Sequence, residues 1–290
     1  MPRALLFAVL ALSAAPVRAE TTVIDDRALF PEGPVMAGTT LLYAQYAGNE
    51  VTAWDGTAKT TVWRQEGCGP SAVVPFGDDW LITCYDSGTL AIITADGATV
   101  GTIGADAAGA ALVGPNDGVP DGRGGAYVTL SGPWESAPIV GRIVHVAPDF
   151  VARPVADDLH YANGVALGPD GRLYVNESEA GRVISFAVGE DGSLSDRRLF
   201  VRLAQLGEDA TAYPDGIRLG PGGNFFVGQY SSGRILEVAP DGTLVKAHDT
   251  GAAAAPNLTF GADGRVMYVA VVDNTGGAPY EGRVLAMPLD

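Results

Sequence analysis

The chain has 290 residues, is 47% apolar, contains 39 glycines and 19 prolines, and carries a formal charge of −16. The apolar fraction is ample for a packed core, and the glycines and prolines imply many tight turns rather than long helices. So large a surplus of carboxylates excludes nucleic acid as a natural partner and disfavours anionic lipid, because both need clustered Lys and Arg.

In chain order, Met1-Pro2-Arg3 is a short basic start and Ala4 to Ala15 an apolar run. Val17-Arg18-Ala19 fits a small-x-small cleavage site, so residues 1–19 are expected to be a signal peptide cleaved after Ala19. The apolar run is too short to span a bilayer. The mature chain, 20–290, is therefore expected to be exported, periplasmic or secreted, with no membrane attachment after cleavage.

The mature chain repeats one phrase: a small polar or acidic residue, a Gly or Pro, a short apolar run, a Gly/Asp turn and a second apolar run. Glu32-Gly33-Pro34-Val35 opens the first. Asn116-Asp117-Gly118-Val119 leads through Asp121 to Gly125 into Ala126-Tyr127-Val128. Asn163-Gly164-Val165-Ala166-Leu167 leads through Gly168-Pro169-Asp170-Gly171 into Arg172-Leu173-Tyr174-Val175. Asp215-Gly216-Ile217-Arg218-Leu219 leads through Gly220-Pro221-Gly222-Gly223 into Asn224-Phe225-Phe226-Val227, and Asn257-Leu258-Thr259-Phe260 opens the last. A period of roughly 40–50 residues with strand-like patterning predicts an all-β, six-bladed β-propeller.

Innermost strands are expected to begin near Glu32, Pro70, Asn116, Asn163, Asp215 and Pro256-Asn257. Third strands are expected over 50–54, 89–94, 141–146, 182–187, 234–239 and 283–287. A glycine before several of them (Gly181, Gly233, Gly282) suits a hairpin turn with positive φ. Arg197 to Asp209 reads as a strand and a loop over one face. The last blade has only three strands before the chain ends. Thr21-Thr22-Val23-Ile24 is expected to supply its outer strand and close the ring.

Cys68 and Cys84 flank a hairpin whose turn lies at Gly77-Asp78-Asp79. Counting inward from each meets at Phe76, which makes them near cross-strand neighbours within bridging range. A disulfide is expected. The three histidines are not spaced as a pair, so a structural zinc site is not expected.

In a propeller the first residues of the innermost strands meet at one end of a central channel. Glu32, Asn116, Asn163 and Asp215 would then converge, two carboxylates and two amide oxygens. Such hard donors suit Ca²⁺, with Mg²⁺, Mn²⁺ or Zn²⁺ as alternatives. Any one Asn-Gly or Asp-Gly is an ordinary turn signal; four at one phase of a repeat are not. Asp170-Gly171, Asp241-Gly242 and Asp263-Gly264 fall at the other hairpin phase and read as turns.

Phe30-Pro31-Glu32-Gly33-Pro34, Pro115-Asn116-Asp117-Gly118, Asn163-Gly164-Val165-Ala166 and Pro214-Asp215-Gly216-Ile217 resemble, in order and spacing, the motifs of the SMP-30/gluconolactonase/luciferin-regenerating-enzyme family. The resemblance covers essentially the whole mature chain. It implies a six-bladed propeller with one catalytic divalent metal and hydrolysis of lactones or, in related branches, phosphotriesters. It implies Glu32, Asn163 and Asp215 as metal ligands, Asn116 at the metal or orienting water and substrate, and Asp215 as general base. Sugar-lactonase members commonly carry an Arg two residues before Asn-Asp-Gly. Here that position is Gly114, which weighs against a sugar lactone. Tyr46, Trp134, Tyr161, Tyr213 and Tyr230, near the expected mouth, suit a less polar ring. His160, three residues before Asn163, is either a second base or a surface loop histidine. A metal-dependent lactone or ester hydrolase is the expected function. The alternatives are a non-catalytic propeller binding a protein or glycan at its rim, and an organophosphate-type hydrolase on the same metal. Gly-x-Ser-x-Gly is absent, and neither cysteine is placed as a nucleophile.

Overall fold

Short strands joined by Gly- and Asp-bearing turns fold into successive antiparallel meanders in the computed structural model, which describes residues 20–289 other than 210 and 212. Strand β1 is Thr22–Leu29. The first meander is β2 to β5 (Pro31–Ala37, Thr40–Gln45, Glu50–Trp54, Lys59–Arg64). The second is β6 to β9 (Pro70–Phe76, Asp79–Cys84, Thr89–Ile93, Thr99–Ile103). The third is β10 to β13 (Pro115–Pro120, Ala126–Leu130, Gly141–Val146, Ala152–Leu159). The fourth is β14 to β17 (Ala162–Leu167, Leu173–Glu177, Arg182–Val188, Leu194–Arg202). The fifth is β18 to β21 (Pro214–Leu219, Phe225–Gln229, Arg234–Val238, Leu244–Asp249). Three strands complete the chain, β22 to β24 (Ala254–Phe260, Val266–Val272, Glu281–Pro288).

The first four meanders are separate four-stranded sheets. The fifth joins β22–β24 and β1 through one bridge, Gln229 to Ala255. First strands such as β2 and β6 are buried along most of their length, whereas fourth strands such as β5 and β21 are largely exposed. The reason is packing. β2 touches β6 and β22, β10 touches β6 and β14, and β18 touches β14 and β22, so each first strand is flanked on both sides. Apolar clusters fill the space between successive sheets, as where Val74, Leu81 and Leu90 meet Val128, Leu130 and Val144. The phrase glycines allow this approach. A Cβ at Gly164 would fall 2.3 Å from the Asp215 carbonyl oxygen, and one at Gly216 would fall 2.4 Å from Asn257. Neither has a positive φ, so at these positions the glycine serves contact rather than turning.

β1 pairs antiparallel with β24, with Val23 opposite Leu285 and Asp25 opposite Val284, as the missing fourth strand predicts. Asp25 is buried and fastens this strand to the first meander. It accepts the Tyr43 hydroxyl at 2.6 Å and ion-pairs with Lys59. Cys68 and Cys84 form the expected disulfide, with Cα atoms 4.5 Å apart.

One expectation needs correction. Gly181 and Gly233 have positive φ, but Gly282 does not; it lies inside β24, where a Cβ would meet the Val271 carbonyl oxygen at 2.3 Å. As expected, the stretch 197–209 begins as strand, the end of β17; it then leaves the sheet through a short 3-10 turn, Leu203–Leu206, closed by Gly207 with φ 84°. Among the described residues no helix is long and apolar enough to cross a membrane. The expected signal peptide and its cleavage point lie outside the described residues.

Candidate functional site

Each first strand breaks register with its partner where the phrase begins. The shifts lie between Glu32 and Val35, Pro115 and Gly118, Ala162 and Val165, and Pro214 and Ile217. A bulge leaves residues unpaired and re-aims their side chains. Asn116, Asn163 and Asp215 fall inside these irregular steps and Glu32 at the edge of one. All four line a single cavity of about 510 Å³. The four residues singled out by the repeat thus meet in one place.

Glu32, Asn163 and Asp215 are buried, at 7%, 6% and 7% exposure; Asn116 is half-buried. Glu32 accepts the Gly33 amide at 3.1 Å and hydrogen-bonds the Asn257 side chain. Burial, then repulsion from Asp215 and Asp117, still drives its carboxyl well above the usual range. Asp215 is pushed up to about 8 by burial and by the Asp117 charge, against a hydrogen bond from Asn163. Among the described residues neither carboxylate has a positively charged partner within ion-pair distance. Asn163 donates Nδ2 to Ser178 Oγ at 3.2 Å, and its Oδ1 has no hydrogen-bond partner among the described residues. A buried amide oxygen without a partner costs free energy unless something else satisfies it.

The strand after each phrase supplies the groups that hold these residues. Ser178 donates to the Pro214 carbonyl at 2.6 Å, and Asn176 Nδ2 to the Asp215 carbonyl at 2.5 Å. Ser131 accepts Asn116 Nδ2 at 2.9 Å and donates to the Ala162 carbonyl at 2.6 Å. Thr83 donates to the Asn116 carbonyl at 2.7 Å. These Ser, Thr and Asn supports were not singled out from sequence, although each is a polar residue in or just after an otherwise apolar second strand. Asp117 was also missed. Its carboxylate is bound by both Nη atoms of Arg218, at 2.7 and 3.0 Å.

Among the described residues Glu32, Asp86, Glu135 and Asp215 are the charged ones lining the cavity, and no Lys, Arg or His does so. His160 is not a lining residue. Its Nε2 lies 3.0 Å from the Ala137 carbonyl and its amide donates to Glu177, which fits the loop reading. Gly114 lines the cavity with φ 61°, and a Cβ there would sit 2.6 Å from the Gly132 carbonyl oxygen. An arginine at this position would require the backbone to move. Among the described residues no group of three or more His, Cys, Asp or Glu is placed to hold a metal. The donor set is instead mixed, two carboxylates with two amides, one amide oxygen being unsatisfied. That composition fits a hard, oxygen-seeking cation rather than a thiolate or imidazole metal.

Residues 30–273 match the SMP-30/gluconolactonase/LRE-like region. The chain belongs to this family. It is 28% identical over 180 residues to lactonase drp35 of Staphylococcus aureus (strain USA300), an alignment covering 58% of this chain and 52% of that one. The chain thus spans about half the length of such curated relatives. Its fold is similar to that of a gluconolactonase from Xanthomonas campestris (TM-score 0.75, 23% identity, 93% of this chain and 89% of the other). It is also similar to the calcium-binding protein regucalcin from Agrobacterium tumefaciens str. C58 (TM-score 0.73, 17% identity, 91% and 92%).

Proposed function

We propose that this family member is a divalent-metal-dependent hydrolase of a lactone or related cyclic ester, built as a six-bladed β-propeller. Ring-wise contact among β2, β6, β10, β14, β18 and β22 supports the blade count. The observation that carries the function is the gathering of Glu32, Asn116, Asn163 and Asp215 on one cavity with Asn163 Oδ1 unpartnered. A scaffold that only bound partners at its rim would have no use for two uncompensated buried carboxylates. Relatives named lactonase and gluconolactonase point to the reaction, and the calcium-binding relative to the cation.

Glu32, Asn163 and Asp215 would hold the cation, Ca²⁺ best matching the donors, with Asn116 adjacent. When bound, a divalent cation supplies Lewis acidity toward a carbonyl and makes water easier to deprotonate. Asp215 would take a proton from the attacking water at a carboxylate oxygen. Water oxygen bonds to the lactone carbonyl carbon, the ring C–O bond breaks, and the proton passes to the leaving alkoxide, giving a hydroxy acid. Asn163 fixes the Asp215 carboxylate by its hydrogen bond, and Glu32 is oriented by Gly33 and Asn257. The disulfide suits an oxidising compartment, consistent with export.

The test is hydrolysis of a panel of sugar lactones, aryl lactones and phosphotriesters, with and without a chelator. Chelator-sensitive lactone opening is expected. Turnover of phosphotriesters alone, or lactone turnover indifferent to chelator, would contradict the reading.

A further inference from the structure

Six aromatic side chains close a ring around the cavity mouth. Phe30 meets Tyr46 with ring centroids 5.3 Å apart, and Tyr46 meets Tyr85 at 6.3 Å. The hydroxyls of Tyr85 and Tyr161 are 2.9 Å apart. Tyr161 meets Trp134 at 5.1 Å, Trp134 meets Tyr230 at 5.7 Å, and Tyr230 stacks on Phe30 at 6.1 Å. All six line the cavity. Trp134 is 45% exposed, standing at the rim partly in water.

Three of the four tyrosine hydroxyls in the ring are already engaged. Tyr46 donates its hydroxyl to Asp86 at 2.7 Å, and Tyr85 donates to the Gly132 carbonyl at 3.0 Å. Burial holds the phenols of Tyr46, Tyr85 and Tyr161 above their ordinary value, so they stay neutral. Two serines of the wall are engaged, Ser71 with the Asn116 carbonyl and Ser178 with the Pro214 carbonyl.

Two further carboxylates, Asp86 and Glu135, line the mouth. Each is exposed, and among the described residues neither forms an ion pair with Lys or Arg. With no basic residue lining the cavity, an anion is repelled and a neutral group gains nothing from these charges. A cation gains from both, and from the electron-rich aromatic side chains that line the cavity with them. We infer that the mouth binds an alkylated ammonium group, so that the substrate class is a lactone or ester carrying a cationic substituent. The binding half of this inference stands on the mouth alone; the substrate half rests on the hydrolase reading.

The test uses choline and its neutral isostere 3,3-dimethylbutan-1-ol as probes. Binding to the full chain in calcium-containing buffer is followed by calorimetry and by tryptophan fluorescence. Choline is expected to bind about tenfold or more tightly than the alcohol. Trp134→Ala, a change at an exposed side chain, is expected to raise the choline Kd about tenfold. Asp86→Asn with Glu135→Gln is expected to bring choline close to the alcohol, and added salt to narrow the gap in the wild type. Equal affinity for the two probes, no choline binding, or Trp134→Ala without effect would overturn the inference. Choline binding without any lactone turnover would sink the hydrolase reading and leave the cation site standing. Lactone turnover with no preference for choline would do the reverse.

Discussion

Arg218 holds both carboxylate oxygens of Asp117, at 2.7 and 3.0 Å, across 101 positions of sequence. The pair ties β18, which carries Asp215, to β10, which carries Asn116. These two strands each contact β14, which lies between them. The Asp117 carboxylate is almost fully buried and the Arg218 side chain largely so. Removing one partner from such a pair leaves an uncompensated buried charge, typically costing about 3–5 kcal/mol. Arg218→Met should therefore destabilise the protein by about that amount, and Asp117→Asn in the same chain should restore a large part. Denaturant unfolding of the single and double variants measures this. Equal stability of Arg218→Met and wild type would show that the pair does not brace the site.

The cavity carboxylates set an unusual pH dependence. Glu32 and Asp215 both have folded-state affinities for protons raised above the unfolded chain, Asp215 to about 8. For a group shifted this way, stability is fully present below the unfolded value, near 4, and is lost as pH rises through the folded value. The metal-free protein should lose thermal stability as pH rises from about 4 to about 8. Added Ca²⁺ should reverse the loss, because a cation compensates the charge that burial penalises. Melting temperatures across pH with and without chelator check both halves. A metal-free melting point that rises over this range would contradict the argument.

Cys68 and Cys84 are 16 positions apart, and the loop they close makes the bridge worth about 3 kcal/mol on the chain-entropy account. Cys68→Ala with Cys84→Ala should lower stability by roughly that amount while leaving metal binding intact, since neither cysteine lines the cavity. Free-thiol labelling of the unfolded, unreduced wild type should give no signal.

Much of the architecture was readable because it depends on local pattern. β4 and β12 run over 50–54 and 141–146, the ranges the repeat suggests, and β22 begins only two residues before Pro256. Strand turns at Gly171, Gly242 and Gly264 have the positive φ that Asp-Gly implies. The convergence of Glu32, Asn116, Asn163 and Asp215 on one cavity was legible because one phase of a repeat maps to the same end of successive first strands. What aims them was not. A bulge is a property of two strands together, so the register shift at Asn163 cannot be read from β14 alone. The tie between Arg218 and Asp117 joins distant phrases, and Asp117 reads in sequence as part of a turn signal. The glycines beside Asn163 and Asp215 also read as turn residues, whereas their use is close contact with the next strand.

On the proposed reading Glu32, Asn163 and Asp215 hold one divalent cation, and Asp215 moves the proton in lactone opening. The measurement is calcium content together with lactone turnover for wild type, Glu32→Gln and Asp215→Asn. The wild type should carry one cation per chain. Glu32→Gln should bind it more weakly and recover activity at high added Ca²⁺. Asp215→Asn should fold with an unchanged circular dichroism spectrum yet lose turnover by at least about a hundredfold. An Asp215→Asn protein that binds calcium and opens the lactone at the wild-type rate would contradict the account.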